Sequence, residues 1–97
     1  MHKILEKWIE KNRYKLEEIG ITTDEIITTS EEVELPCIRV DQSTDKCIGR
    51  ICVWKDGTID LEVLDIQTER RLMFAHYEEQ HEVECFIQPY IKVILKN

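Results

Sequence analysis

Ninety-seven residues can bury one core but not a second lobe, so a single domain spanning residues 1–97 is expected. Twenty acidic side chains against 13 basic ones give a net charge of −7, a field that repels phosphate backbones and attracts basic surfaces, so direct nucleic-acid binding is disfavoured. No run of about 18 apolar residues exists, and charges interrupt Met1-His2-Lys3-Ile4-Leu5-Glu6-Lys7, so neither a membrane span nor a signal peptide is expected. Without an export signal, Cys37, Cys47, Cys52 and Cys85 read as reduced thiols of a cytoplasmic protein. Cys47 and Cys52 are an odd number of positions apart and would point to opposite faces of one strand, which counts against a local bridge or a shared metal.

The first element is an amphipathic helix. Ile4, Leu5, Trp8, Ile9, Asn12, Leu16 and Ile19 form its apolar stripe, and Gly20 stands at the left-handed cap position. Its other face mixes five bases with four acids and reads as solvated. Residues 21–36 hold five acids (Asp24, Glu25, Glu31, Glu32, Glu34) and no base. Within them, residues 25–29 fit either a short edge strand or a loop.

Three strands follow over residues 37–41, 47–54 and 58–64, and a fourth over 71–77. Trp54-Lys55-Asp56-Gly57 has the form of a type I turn closed by a left-handed glycine. A three-residue loop pairs Trp54 with Thr58, Val53 with Ile59, Ile51 with Leu61 and Gly49 with Val63, which puts the apolar residues on one face. A two-residue loop would mix acids into that face, so the pattern selects the first register. The same register turns Trp54 to the polar face beside Arg50, Cys52, Thr58, Asp60 and Glu62. In the fourth strand either Leu72 with Phe74, or Met73 with Ala75 and Tyr77, can face inward, and the first pair is favoured. Val83, Phe86, Ile87, Tyr90, Ile91, Ile94 and Leu95 then recur at helical spacing, with Pro89 predicting a kink or a late restart. The fold class is α+β: a helix, an antiparallel meander of three to five strands and a helix, with both helices on one sheet face.

Catalytic parts are sparse. His76 and His81 lie among Glu78, Glu79 and Glu82, but a spacing of five positions matches neither one nor two helical turns; the simpler reading is an acidic first turn of the last helix. Cys52 with His76 would need a lowered thiol pKa, which Asp60 and Glu62 oppose. Asp60 and Glu62 read as solvated strand carboxylates, and the three glycines form no phosphate loop. No cofactor is called for and an enzyme is not expected. What remains is an aromatic on a polar sheet face rimmed by carboxylates, a pattern suited to a protein interface. The alternative for Trp54 is packing beneath a loop or a neighbouring helix.

Gly49-Arg50-Ile51-Cys52-Val53-Trp54, Asp56-Gly57, Asp60-Leu61-Glu62-Val63-Leu64-Asp65, Thr68 and His76-Tyr77 resemble the central hairpins of the TriTu immunity family of contact-dependent growth inhibition systems. The resemblance implies a cytoplasmic inhibitor that binds the C-terminal toxin domain of its cognate effector and blocks the active site. It also implies that the toxin is a nuclease cleaving transfer RNA with the help of elongation factor Tu, which would reach the inhibitor through the toxin. Glu69 departs from the family pattern, which has glycine after the threonine, so a different second hairpin turn is expected. The residues expected to meet the partner are Trp54, Asp60, Glu62, Glu78 and Glu79. Two other readings stand beside this one: a metal-binding enzyme or sensor using His76 and His81, and a structural subunit of a larger complex.

Overall fold

A computed structural model describes residues 2–29, 32–80 and 82–96. Helix α1 (His2–Glu18) buries His2, Leu5, Ile9 and Leu16. Its end is a Schellman cap: the Ile21 N–H donates to the Leu16 carbonyl at 2.9 Å and the Gly20 N–H to that of Glu17 at 3.1 Å, with Gly20 at φ 97°. Two residues assigned to the apolar stripe are exposed instead, Ile4 at 49% and Ile19 at 52%. Ile4 lies on the flank beside Leu5, and Ile19 falls in the capping turn after the last helical residue.

Strands β1 (Thr22–Thr23) and β2 (Ile27–Thr28) both pair with β3 (Cys37–Ser43), so the ambiguous acidic segment contributes a short edge strand. The meander continues through β4 (Cys47–Trp54), β5 (Ile59–Asp65) and β6 (Arg71–Tyr77), all antiparallel, in the order β1-β3-β4-β5-β6 with β2 also on β3. The sheet thus has six strands, above the three to five expected, because the β3 edge is lined by two fragments rather than one.

The β4–β5 register is the one selected by the hydrophobic pattern: Val53 faces Ile59, Ile51 faces Leu61, Gly49 faces Val63, and Cys52 and Arg50 face Asp60 and Glu62. At its turn the Trp54 N–H donates to the Thr58 carbonyl at 2.9 Å, the Asp56 carboxylate accepts from the Thr58 N–H at 2.9 Å, and Gly57 has φ 95°. The β6 orientation differs from expectation. Met73, Ala75 and Tyr77 pair with Val63, Leu61 and Ile59 and so share the core face, while Phe74 points outward at 53% exposure. A register irregularity between Val63 and Leu64 pairs Leu64 with Arg71 and leaves Leu72 as the extra residue, so Leu72 and Met73 both pack partly against the core. Alternation read through such a bulge gives the wrong face.

Helix α2 (Glu84–Lys96) is continuous through Pro89, so there is no late restart. Glu78, Glu79 and Glu82 precede it, and Glu84 is the acid in its first turn, which removes the reading of those three as helix-dipole partners. Phe86, Ile87, Tyr90 and Ile94 meet Leu5, Ile9 and Leu16 and the inner residues of β3–β5 in one core, with both helices on the same sheet face. Tyr77 and Phe86 stack obliquely, ring centroids 6.4 Å apart.

Two backbone positions carry testable strain. A Cβ at Gly49 would overlap the Tyr90 hydroxyl and approach the Ile94 Cδ1 to 2.9 Å, and both partners are fully buried. Gly49→Ala is therefore expected to destabilise the fold by about 1–3 kcal/mol in denaturant unfolding. Between β5 and β6 the Asp65 carboxylate accepts from the Gln67 and Thr68 N–H groups, each at 2.9 Å, and Glu69 takes the left-handed conformation at φ 61°. The turn thus keeps a geometry that suits glycine although glutamate occupies it. Glu69→Gly should raise stability by about 0.5 kcal/mol, the relief of left-handed strain less the added freedom of the unfolded chain.

Candidate protein-binding surface

Because side chains alternate along each strand, the residues not used by the core form a second face opposite the helices. Its cross-strand rows are Cys37 and Trp54; then Arg39, Cys52, Asp60 and His76; then Asp41, Arg50, Glu62 and Phe74; then Ser43, Ile48, Leu64 and Arg71. Trp54 is half-buried there, on the face its register predicted. Asp60 and Glu62 stand two residues apart on β5, also on this face.

The carboxylates of the face are not bare. Arg50 donates to Asp41 at 2.8 Å, Arg71 approaches Glu62 at 3.1 Å, and the His76 Nδ1 lies 2.6 Å from Asp60. The Arg71 guanidinium also sits over the Phe74 ring, 5.0 Å from its centroid. Three arginines (Arg39, Arg50, Arg71) thus balance Asp41, Asp60 and Glu62, and the centre of the face is polar but close to neutral.

The negative excess lies at one end of this face instead. The Lys55 N–H donates to the Pro36 carbonyl at 2.8 Å and the Gln80 N–H to that of Gly57 at 3.1 Å. These two bonds gather the segment after residue 31, the β4–β5 turn and the segment before α2. Glu32, Glu34, Asp56, Glu78, Glu79 and Glu82 all belong to these segments, whereas Lys55 is their described base; Glu31 and His81 lie outside the described residues. Glu79 holds φ 55° in this connection, and Glu78 lies 3.5 Å from the His76 Nε2. Trp54 stands where the neutral face meets the acidic end, so the five candidate residues divide between the two: Asp60 and Glu62 on the sheet, Glu78 and Glu79 on the loop beyond it.

A shallow depression of about 170 Å³ runs between Arg50, Cys52, Asp60, Leu61, Glu62 and Phe74. It has room for one side chain. At the opposite end of the face, Ile48 (47% exposed) faces Leu64, and Ile66 is 45% exposed beside them. Sequence reasoning passed over Ile48, Leu64 and Ile66 and turned Phe74 inward, yet extending the β4–β5 register by one pair places Ile48 opposite Leu64 on the outer face.

The geometry also bears on the cysteine and histidine readings. Burial pushes the Cys52 thiol above its usual range and Asp60 adds to the effect, despite the opposing pull of Arg50, so the thiol is a poor nucleophile. Among the described residues no group of three or more His, Cys, Asp and Glu side chains is placed to hold a metal ion. His81, half of the metal reading, lies outside those residues.

An exposed sheet layer backed by two helices, with paired charges, a half-buried tryptophan and an acidic rim, places the protein among small α+β domains suited to docking a partner. The chain belongs to the TriTu immunity protein family: the family described as "Immunity protein TriTu" matches residues 3–95, including most of both helices and the whole sheet. Membership of an immunity family implies a cognate toxin as partner. No curated protein matches the chain.

His76 provides a pH signature of this surface. The hydrogen bond to Asp60, and then that to Glu78, raise its pKa above the ordinary 6.5. A raised folded-state value means that protonated His76 stabilises the fold below the unfolded pKa, and that this contribution disappears as pH rises through the folded one. The His76 NMR titration midpoint should therefore lie above 6.5 and return towards it in Asp60→Asn. The stability gap between wild type and His76→Gln should close on raising the pH from about 6 to 8.

Proposed function

We propose that this protein neutralises its cognate toxin by binding the C-terminal toxin domain directly and occluding its active site, in the cytoplasm of a bacterium that uses contact-dependent growth inhibition. The observation that carries the reading is the uncovered sheet face ending in Trp54 and an acidic rim, in a chain of the immunity family. A nuclease that handles transfer RNA must present cationic side chains to phosphates. An inhibitor that opposes carboxylates to those side chains competes with the substrate on the same electrostatic ground.

In this reading Trp54 is the aromatic anchor. Glu78 and Glu79 steer the approach from the rim, and Asp60 and Glu62 exchange part of their contact with His76 and Arg71 for basic groups of the toxin. Elongation factor Tu joins through the toxin rather than through this chain. In this reading the inhibitor acts by occupation and performs no chemistry.

The test is transfer-RNA cleavage by the toxin domain encoded beside this gene, with elongation factor Tu present. Stoichiometric inhibitor should abolish cleavage; full cleavage at a molar excess of inhibitor would overturn the reading. Asp60→Lys with Glu62→Lys should slow association about tenfold at low salt, with the difference shrinking as salt is raised. Trp54→Ala should cost about 2 kcal/mol of affinity, mostly through faster dissociation. An unchanged association rate for the double variant would remove the electrostatic part of the mechanism.

A further inference from the structure

The two edges of the sheet are unequal. Along β3, β1 and β2 take up the outward backbone groups: Thr22 and Thr23 pair with Ser43 and Gln42, Ile27 and Thr28 with Arg39 and Ile38, and the Asp24 and Thr29 N–H groups donate to Asp41 and Cys37. At the other edge β6 pairs with β5 alone. The Trp54 to Thr58 bond fixes which residues of the hairpin bond each other, so Ile59, Leu61 and Val63 turn their backbone groups toward Tyr77, Ala75 and Met73. The N–H and C=O groups of Phe74 and His76 therefore point away from the sheet, and among the described residues nothing pairs with them. The strand contains neither proline nor lysine, two residues that commonly blunt such an edge.

We propose that β6 pairs antiparallel with β6 of a second copy of this chain, about a twofold axis at Phe74, to form a homodimer with one continuous sheet. The occupant is chosen by charge complementarity along the strand. Arg70 immediately precedes it and Glu78 immediately follows it, both exposed. With Phe74 opposite Phe74, antiparallel pairing sets Arg70 of each copy against Glu78 of the other, and Leu72 against His76. The two Phe74 rings then meet on the outer face, where each is 53% exposed in the single chain. Beyond these pairs Glu69 and Glu79 both adopt positive φ, which ends the extended run on either side of the axis. A twofold axis perpendicular to the sheet keeps both helix layers on one side and both open faces on the other, so the dimer would present two copies of the proposed toxin-binding surface in one direction.

This inference is independent of the toxin reading and is tested on the full chain alone. Sedimentation equilibrium from micromolar to submillimolar concentration should reach twice the 11.6 kDa chain mass. Phe74→Pro, which removes an outward N–H and leaves the β5 ladder its donors, should hold the protein monomeric with an unchanged circular dichroism spectrum. Should that variant not fold, the charge pair decides. Arg70→Glu and Glu78→Arg should each weaken the homodimer at least about tenfold, because the axis applies every change twice, and mixing the two variants should restore dimerisation as a heterodimer. A wild-type chain that stays monomeric throughout would overturn the proposal, as would a dimer indifferent to both charge variants. If the chain is monomeric but the outward amides of Phe74 and His76 gain hydrogen-exchange protection on binding the toxin domain, the edge accepts a strand of the toxin and the homodimer is wrong.

Discussion

Everything about this surface depends on the register of one hairpin. The Trp54–Thr58 closure, with Asp56 capping the Thr58 N–H and Gly57 at φ 95°, sets the parity of β4 against β5. Parity in an antiparallel sheet admits no intermediate state, since a slip by one residue would move Ile51, Val53, Ile59 and Leu61 into water and Arg50, Asp60 and Glu62 into the core. Gly57 is held from outside as well. A Cβ there would approach the Gln80 backbone oxygen to 2.7 Å, so the turn and the connection to α2 are fitted to each other. The acidic end of the molecule is a by-product of that fit, because the same contact brings the segment that holds Glu78 and Glu79 against the turn that holds Asp56.

Much of this was legible in the sequence because the decisive signals were local. The cap at Gly20, the Asp56-Gly57 turn and the alternation of β4 and β5 each involve residues close in the chain, and each agrees with the hydrophobic pattern around it. What escaped was non-local or irregular. The extra residue at Leu72 breaks the period of two, so β6 read in isolation favoured Leu72 and Phe74 when its pairing places Met73, Ala75 and Tyr77 inward. The fragment β1 has only two residues and is defined by its pairing with Ser43 and Gln42 rather than by any pattern of its own. The buried Gln42, which donates to the Thr23 hydroxyl at 3.0 Å, shows the same dependence on a partner far along the chain.

The candidate surface was legible by face and not by electrostatics. Parity alone put Trp54, Asp60 and Glu62 together. It could not show that Arg71 and His76, from the next strand, would stand against those carboxylates and leave the sheet centre nearly neutral. Net charge is a property of the chain, whereas the field at an interface depends on which segments the fold gathers. Here the bonds from Lys55 to Pro36 and from Gln80 to Gly57 collect the acids at one end. A partner approaching this molecule meets a directional dipole, acidic at the rim and balanced on the sheet.

The separation of the two sheet faces also bears on how such a protein can change over time. Core residues at odd positions of β4 and β5 carry most of the burial, while the even positions between them lie on the open face, exposed or half-buried. A substitution at Arg50, Asp60 or Glu62 alters the open face with little loss of buried area, and one at Ile51 or Leu61 does the reverse. On the binding mode proposed above, recognition and foldability are written on alternate letters of the same strands. A lineage pressed to follow a changing toxin can redraw one set without disturbing the other.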